Sequence, residues 1–168
     1  MRKLALLAVL FFALSGCKIA LNGASIPPEM KTVNVLVFEN NAPLVVPYLS
    51  SQFTEELKTR IRNQTSLSIS TNEPHGVFSG NITGYSITPE AITDNKNPVA
   101  GANRLTISIS VKYTNNLNPK QSFEESFSRY KVFKLVGNLQ SVEQGLIKDV
   151  TAQLTEDIFN RAFAQWGQ

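Results

Sequence analysis

The chain has 168 residues, 42% of them hydrophobic, which is enough for one domain with a hydrophobic core. Its formal net charge is only +3, and no strongly basic patch points to a nucleic-acid partner. Charged residues make up 17% of the chain, against about 25% in an average domain. Ser, Thr, Asn and Gln replace the missing charges, and neutral groups are buried at lower cost than charged ones. This composition favours a large partner interface, with a lineage bias in composition as the alternative.

The N-terminal segment resembles a bacterial export signal. The basic pair Arg2-Lys3 precedes an apolar run, Leu4 to Leu14, that is too short to cross a bilayer as a helix. The run ends in Leu14-Ser15-Gly16-Cys17, which resembles the lipobox of bacterial lipoproteins. We therefore expect removal of residues 1–16 and attachment of diacylglycerol and an N-acyl chain to Cys17, with no other cofactor. The alternative is an ordinary secretory signal with an incidental cysteine.

The residues at and after Cys17 predict where the protein resides. Cys17 is the only cysteine, which excludes an intrachain disulfide and a thiolate metal site. Lys18 stands where an aspartate would favour retention in the inner membrane of enteric bacteria. The sequence therefore predicts a lipid-anchored protein of the outer membrane, facing the periplasm. We expect a lipidated tether over residues 17–31 and a single domain over residues 32–168.

The first half of the domain predicts a strand followed by a helix. Val33 to Phe38 is a continuous β-branched and apolar run, typical of a buried strand. From Pro47 to Arg62 the apolar residues recur every four positions, as in an amphipathic helix. Basic residues near the end of this helix complement its macrodipole, with Glu56 and Arg60 as an ion pair; a lipid-phosphate site is the alternative.

The second half predicts a meander of strands and a long helix. The predicted strands are Leu67 to Ile69, Val77 to Thr88 with a bulge near Gly84, Leu105 to Tyr113 with clean alternation, and Ser122 to Phe133. A polar loop is expected from Ala91 to Asn103. A capping box at Ser141-Val142-Glu143-Gln144 predicts the start of a helix of about seven turns, whose apolar face ends at Trp166.

These elements predict an α+β fold. In the expected two-layer sandwich, two amphipathic helices pack on one face of a mostly antiparallel or mixed sheet of about four to five strands.

Catalytic motifs are absent from the sequence. The single histidine, His75, lies in a Pro/Gly turn without partners of its own kind. The adjacent acids Glu124-Glu125 and Glu156-Asp157 point in different directions in a strand or helix, so we interpret them as solvated charges and not as carboxylate dyads. No phosphate loop, nucleophile elbow or zinc-protease motif occurs. The sequence therefore predicts that the protein is not an enzyme.

The mature sequence resembles the LptE family of lipopolysaccharide-assembly lipoproteins, in a branch distant from the enteric form. The resembling segments follow the lipobox in order: residues 23–28 (GASIPP), 40–44 (NNAPL), 53–57 (FTEEL), 80–85 (GNITGY), 103–107 (NRLTI), 123–130 (FEESFSRY) and 154–160 (LTEDIFN). The resemblance implies a small α/β sandwich that plugs the outer-membrane barrel LptD and helps it assemble. It also implies contact with lipopolysaccharide during its delivery to the outer leaflet.

Candidate lipopolysaccharide contacts are chosen by their chemistry, because the basic contact positions of the enteric branch match no motif here. Guanidinium and ammonium groups bind the phosphates and acidic sugars of a glycolipid. The candidates are Arg104, Lys112, Arg129, Lys131 and Lys134. The alternatives to this function are a non-catalytic scaffold lipoprotein of another envelope complex and an enzyme of unrecognised type.

Overall fold

The computed structural model describes residues 26–92, 99–135 and 137–164. Residues 1–25, including Cys17, and Trp166 lie outside the described residues. The strands are β1 (Thr32–Val35), β2 (Glu39–Asn40), β3 (Ser68–Ile69), β4 (Gly76–Ile92), β5 (Val99–Asn115) and β6 (Phe123–Lys134). The helices are α1 (Leu49–Gln64) and α2 (Leu139–Phe163), and a 3-10 turn at Pro119–Gln121 leads from β5 to β6.

The strands form one mixed sheet in the order β3-β1-β4-β5-β6, with β2 also beside β4. β1 is parallel to β3 and β4, β2 is parallel to β4, and β4, β5 and β6 form an antiparallel meander. The described sheet has six strands, slightly more than the four to five expected. The two-layer α+β architecture, with both helices packed against this sheet, is confirmed.

The predicted strand Val33 to Phe38 ends early, at Val35, and the extra strand β2 follows just beyond the predicted run, at Glu39–Asn40. Around Phe38 the backbone turns from the sheet to α1: its N–H donates to Thr54 Oγ1 at 3.1 Å, and its carbonyl accepts from Ser50 Oγ at 2.6 Å. The ladder with β4 therefore stops after β1 and resumes at β2. The apolar pattern of residues 33–38 does not indicate these two hydroxyl groups of α1, so the sequence could not show where the strand ends.

The β4–β5 hairpin is longer than its sequence indicated. The expected bulge is confirmed by a register shift between Ile82 and Gly84. The expected polar loop from Ala91 to Asn103 is wrong at both ends, because β4 continues to Ile92 and β5 begins at Val99. Pairing here gains a cross-strand ion pair between Arg104 and Glu90, which a search for apolar alternation cannot detect.

A single hydrophobic core lies between the sheet and the two helices. The odd-numbered residues of β5 from Leu105 to Tyr113 are fully buried and form the sheet side of this core. Arg60 of α1 reaches across to α2, where it donates to Thr155 Oγ1 at 3.1 Å and to the Ala152 carbonyl at 2.8 Å. The expected Glu56–Arg60 pair is therefore wrong, since Arg60 joins the two helices instead. No helix in the described part of the chain is long and apolar enough to span a membrane.

The start of α2 lies earlier than the predicted capping box. Asn138 is the N-cap, and its side chain accepts from the backbone N–H of Ser141 at 2.9 Å. Ser141 is thus inside the first turn and is not the cap. The next turn is fastened to the sheet, because the buried Tyr85 hydroxyl donates to Glu143 at 2.6 Å. Burial and this hydrogen bond raise the pKa of Tyr85 above its usual range.

Gly80 on β4 occupies a position that no other residue can fill without strain. Its φ is +152°, and an added Cβ would overlap the Ser110 carbonyl oxygen and lie 2.8 Å from Phe38 Cε1. Gly145 in α2 provides the opposite case, because a Cβ added there would meet nothing within 4 Å. The two glycines therefore form a matched pair for substitution.

We expect Gly80→Ala to lower the free energy of unfolding by at least ~3 kcal/mol, through backbone strain and overpacking. Gly145→Ala should raise it by ~0.5–1 kcal/mol, because alanine has the higher helix propensity. Urea unfolding followed by circular dichroism measures both. Equal effects of the two substitutions would contradict the close approach of Phe38 and Ser110 to Gly80.

Candidate interaction surface

One face of the sheet is not covered by any helix in the described residues, and we call it the open face. Side chains alternate across a strand, so the even-numbered residues of β5 lie opposite the buried odd-numbered ones. The register places their partners in β4 and β6 on the same face. Its neutral polar residues are Ser79, Asn81, Ser86, Thr88, Thr106, Ser108, Ser110, Thr114, Ser126 and Ser128.

The neutral polar side chains of the open face can form hydrogen bonds with a partner without the desolvation cost of burying an ion. Its hydroxyl groups are both donors and acceptors, as between Ser108 Oγ and Ser128 Oγ, which are 2.9 Å apart. Burying such groups against another polar surface costs less than burying ions, provided each finds a partner. The neutral polar residues noted in the composition are therefore gathered on the side of the sheet that is free to meet a partner.

A cationic cluster lies at the end of the open face near the β4–β5 hairpin. Arg104 donates to Glu90 at 2.5 Å, and its guanidinium carbon lies 4.1 Å from the ring centroid of Tyr130. The Nε atom of Arg104 is buried and has no hydrogen-bond partner within the described residues. Lys134 follows on the same face, opposite Ala102, and is exposed. We call Arg104, Tyr130 and Lys134 the hairpin-end cluster.

Arg129 and Lys131 lie on the other side of β6, facing α2. Arg129 makes two hydrogen bonds to Asp157, at 2.5 and 2.7 Å, which raise its pKa. Lys131 lies 3.5 Å from Asp149. With the 2.6 Å pair between Arg161 and Glu125, these contacts form a row of three ion pairs, which we call the β6–α2 ladder.

The ladder corrects two expectations from the sequence. Glu125 and Asp157 are not the solvated charges that their positions indicated, because each binds an arginine. The five basic candidates do not form one site either, because the two faces of β6 separate them. Lys112 is distant from the rest: it lies on the open face opposite Glu124, eight residues or about 27 Å along β5 from Arg104.

The ladder partners could have been found from their spacing. Asp149, Asp157 and Arg161 are separated by multiples of four residues, so they share one flank of α2. Glu125, Arg129 and Lys131 are separated by multiples of two in β6, so they share one face of the strand. What the spacing does not supply is the placement of that flank over that face.

His75 has a structural role in the described chain. Its Nδ1 atom accepts from the backbone N–H groups of Lys31 and Thr32, at 3.0 and 3.3 Å, where the chain enters β1. Nδ1 is therefore the unprotonated nitrogen of the ring. No group of three or more His, Cys, Asp or Glu residues in the described ranges is arranged to hold a metal.

Comparison with protein families decides the relationship of this chain to known proteins. The model of the LptE family, described as lipopolysaccharide-assembly, matches residues 30–162. The chain belongs to the LptE family. The match covers nearly all of the described domain, and it confirms the resemblance noted in the sequence. LptE is a family of non-catalytic lipoproteins, and membership supports a general role for this chain as a membrane-associated lipoprotein of lipopolysaccharide assembly.

Solved structures share the fold of this LptE-family chain. A minor lipoprotein from Acinetobacter baumannii is 12% identical, with a TM-score of 0.51 over 79% of this chain and 91% of that one. A hypothetical protein from Chlamydia trachomatis is 10% identical, with a TM-score of 0.54 over 79% and 92%. An uncharacterized lipoprotein B from Nitrosomonas europaea is 10% identical, with a TM-score of 0.53 over 80% and 83%. No curated protein matches significantly.

The ladder predicts that charge order across β6 and α2 matters for stability. Arg129→Asp should lower the urea midpoint of unfolding, because it places two carboxylates together in place of a bidentate pair. Exchanging the charges, with Arg129→Asp and Asp157→Arg together, should recover most of the loss. Lys134→Asp is the control, since Lys134 has no ion pair within the described residues. Additive effects of the two exchanges would contradict direct pairing.

His75 predicts a second stability effect, at the entry to β1. His75→Ala should lower the free energy of unfolding by ~1–2 kcal/mol, because two backbone donors lose their acceptor. His75→Asn places a side-chain oxygen near the position of Nδ1 and should retain most of the stability. Thermal unfolding at pH 7.5 measures both variants. Equal losses would show that ring packing, and not the acceptor atom, is what His75 contributes.

Proposed function

We propose that this chain is a non-catalytic outer-membrane lipoprotein that plugs an LptD-type barrel, helps that barrel to assemble, and contacts lipopolysaccharide on its way to the outer leaflet. Family membership supports the general role in lipopolysaccharide assembly. The observation that carries the barrel partner is the open face, a broad sheet surface dominated by Ser, Thr and Asn.

The open face has the chemistry that the wall of a large barrel requires. Large outer-membrane barrels have polar lumens that can hold a plug. Hydroxyl and amide side chains exchange hydrogen bonds with such a wall and leave no unpaired charge buried. Two of the cations of the open face fit this arrangement, because Arg104 is already paired with Glu90 and Lys112 lies opposite Glu124, whereas Lys134 has no ion pair within the described residues.

The lipid anchor at Cys17 completes the proposal. Two or more acyl chains hold a protein stably in a bilayer, whereas one holds it only marginally. Lipid on Cys17 would thus keep the domain at the periplasmic surface of the outer membrane until it meets the barrel. No other cofactor is required for a role that consists of binding and positioning.

Lipopolysaccharide contact is best supported at the hairpin-end cluster. The side chain of Arg104 is about one-third exposed, Lys134 is exposed, and both share the open face with the half-exposed ring of Tyr130. Arg129 and Lys131 are poorer candidates, because both lie on the helix-facing side of β6, away from the open face, where they pair with α2. The five sequence candidates are thereby narrowed to two principal residues.

Site-specific photocrosslinking in cells tests the barrel partner. A crosslinker at Ser108 or Ser126, on the open face, should capture a large outer-membrane barrel protein. The same crosslinker at Lys148, exposed on α2, is the matched control and should capture it weakly. Recovery of soluble envelope proteins alone from the open-face positions would contradict the proposal and favour a scaffold role.

Lipopolysaccharide binding in vitro tests the cluster. Arg104→Gln combined with Lys134→Gln should weaken binding by about tenfold or more, because two charge-assisted contacts are lost. Arg129→Gln combined with Lys131→Gln removes the same charge from the ladder and should change binding by less than about threefold. Equal weakening by the two double variants would mean that net charge alone attracts the glycolipid.

A further inference from the structure

Two loops beside β2 expose four aliphatic side chains. Leu36 and Val37 lie between β1 and β2, and Leu44 and Val45 lie between β2 and α1. Their exposed fractions are 46%, 64%, 57% and 59%. We call these four residues the aliphatic patch. They account for more than half of the large hydrophobic side chains that are exposed in the described part of the chain.

The aliphatic patch stands on loops with a defined backbone. The N–H of Leu36 donates to the Phe78 carbonyl at 2.9 Å, so the first loop is held against β4. Asn40 fastens the second loop: its amide donates to the Val46 carbonyl at 3.1 Å, and its Oδ1 accepts from Ala42 N–H at 3.1 Å. The patch is therefore a built surface and does not arise from fraying.

The core positions next to these side chains are occupied by other residues. Val35 and Phe38 fill the core on either side of the first exposed pair, and Ala42 and Val46 do so around the second. Aliphatic exposure is costly in water and favourable at a hydrocarbon interface. The open face and the aliphatic patch thus have opposite chemistry, and the patch suits a polar barrel lumen poorly.

The charged residues of the segment that carries the aliphatic patch indicate whether the patch would prefer an anionic membrane surface. Between Thr32 and Gln52 the only charged residue is Glu39, and there is no Lys or Arg. Attraction to anionic headgroups requires basic residues close to the surface. An interaction of this patch with a bilayer would therefore depend on apolar burial and would be insensitive to lipid charge and to salt.

The length of the tether places a bilayer within reach. This step rests on the proposed lipid anchor at Cys17. Nine peptide steps separate Cys17 from Ile26, where the described chain begins, and nine steps span at most ~32 Å. β1, about 13 Å long, leads from this end of the chain to Leu36. Tethering raises the effective concentration of the patch at the membrane, so even weak insertion becomes populated.

We propose that the aliphatic patch inserts into the interfacial layer of the bilayer that holds the lipid of Cys17. The domain then docks through its β2 edge, with two attachments to the membrane: the acyl chains and the four aliphatic side chains. Docking limits the rotation of the domain about its tether and presents the open face to a partner in the same membrane.

Depth-dependent quenching of the full-length lipidated protein in phosphatidylcholine vesicles tests this docking. Lipidation consumes the only native cysteine, so Val45→Cys supplies a single thiol for an environment-sensitive fluorophore. Spin-labelled lipids should quench this label about threefold more than a label at Ser126→Cys on the open face. The difference should persist in vesicles with anionic lipid and in about 0.5 M salt. Equal quenching at the two positions would overturn the docking.

A second variant and a flotation assay separate the docking from the anchor. The fluorophore is placed at Val37→Cys, and the changes Leu44→Ser and Val45→Ser are then added. These changes should reduce quenching to the value measured for the label at Ser126→Cys. The control change Leu117→Ser, at another exposed leucine, should leave quenching unaltered. A protein that floats with vesicles but shows no preferential quenching retains the anchor and loses the docking. A protein that does not float loses both. Shielding of Val45 only after a barrel partner is added would assign the patch to that partner and overturn membrane docking.

Discussion

The period-two alternation of β5 is the constraint on which the rest of the structure depends. Its odd-numbered residues form the floor of the core beneath the helices, and its even-numbered residues form the centre line of the open face. β4 and β6 inherit this division through their registers. A slip of one residue would place isoleucines on the open face and serines under α2, so pairing register and surface chemistry are determined together.

The edge strand β6 shows what happens where the core ends. Its helix-facing residues are apolar at Phe123 and Phe127 but charged at Glu125, Arg129 and Lys131. At this border α2 covers the sheet only partly, and ion pairs replace apolar contacts. Charged side chains also discourage another strand from adding to an exposed edge. Arg129 and Lys131 of β6 are thereby committed to holding α2, which is why these two residues are poor candidates for binding a glycolipid.

Local pattern was sufficient for the main strands, the bulge near Gly84 and the two amphipathic helices. It failed where a contact between distant segments decides the structure. The backbone departs from the sheet at Phe38 because Thr54 and Ser50 of α1 hydrogen-bond to it. Arg60 binds the Ala152 carbonyl in α2 and not Glu56 in its own helix. Prediction of the candidate site had the same limit. The basic residues could be named from the sequence, but their division between the two faces of β6 depends on strand register and helix placement.

The open face and the aliphatic patch make different demands on their surroundings. Hydroxyl-rich strands lose hydrogen bonds in hydrocarbon, whereas exposed valine and leucine side chains gain nothing from a polar wall. The two surfaces also lie on separate parts of the sheet, since the patch flanks β2 and the open face is centred on β5. A domain with this division is suited to a boundary where a bilayer and a polar protein surface are both present. The periplasmic rim of a barrel in the membrane that holds the anchor is such a boundary, so the proposed docking and the proposed plug can be satisfied at one place.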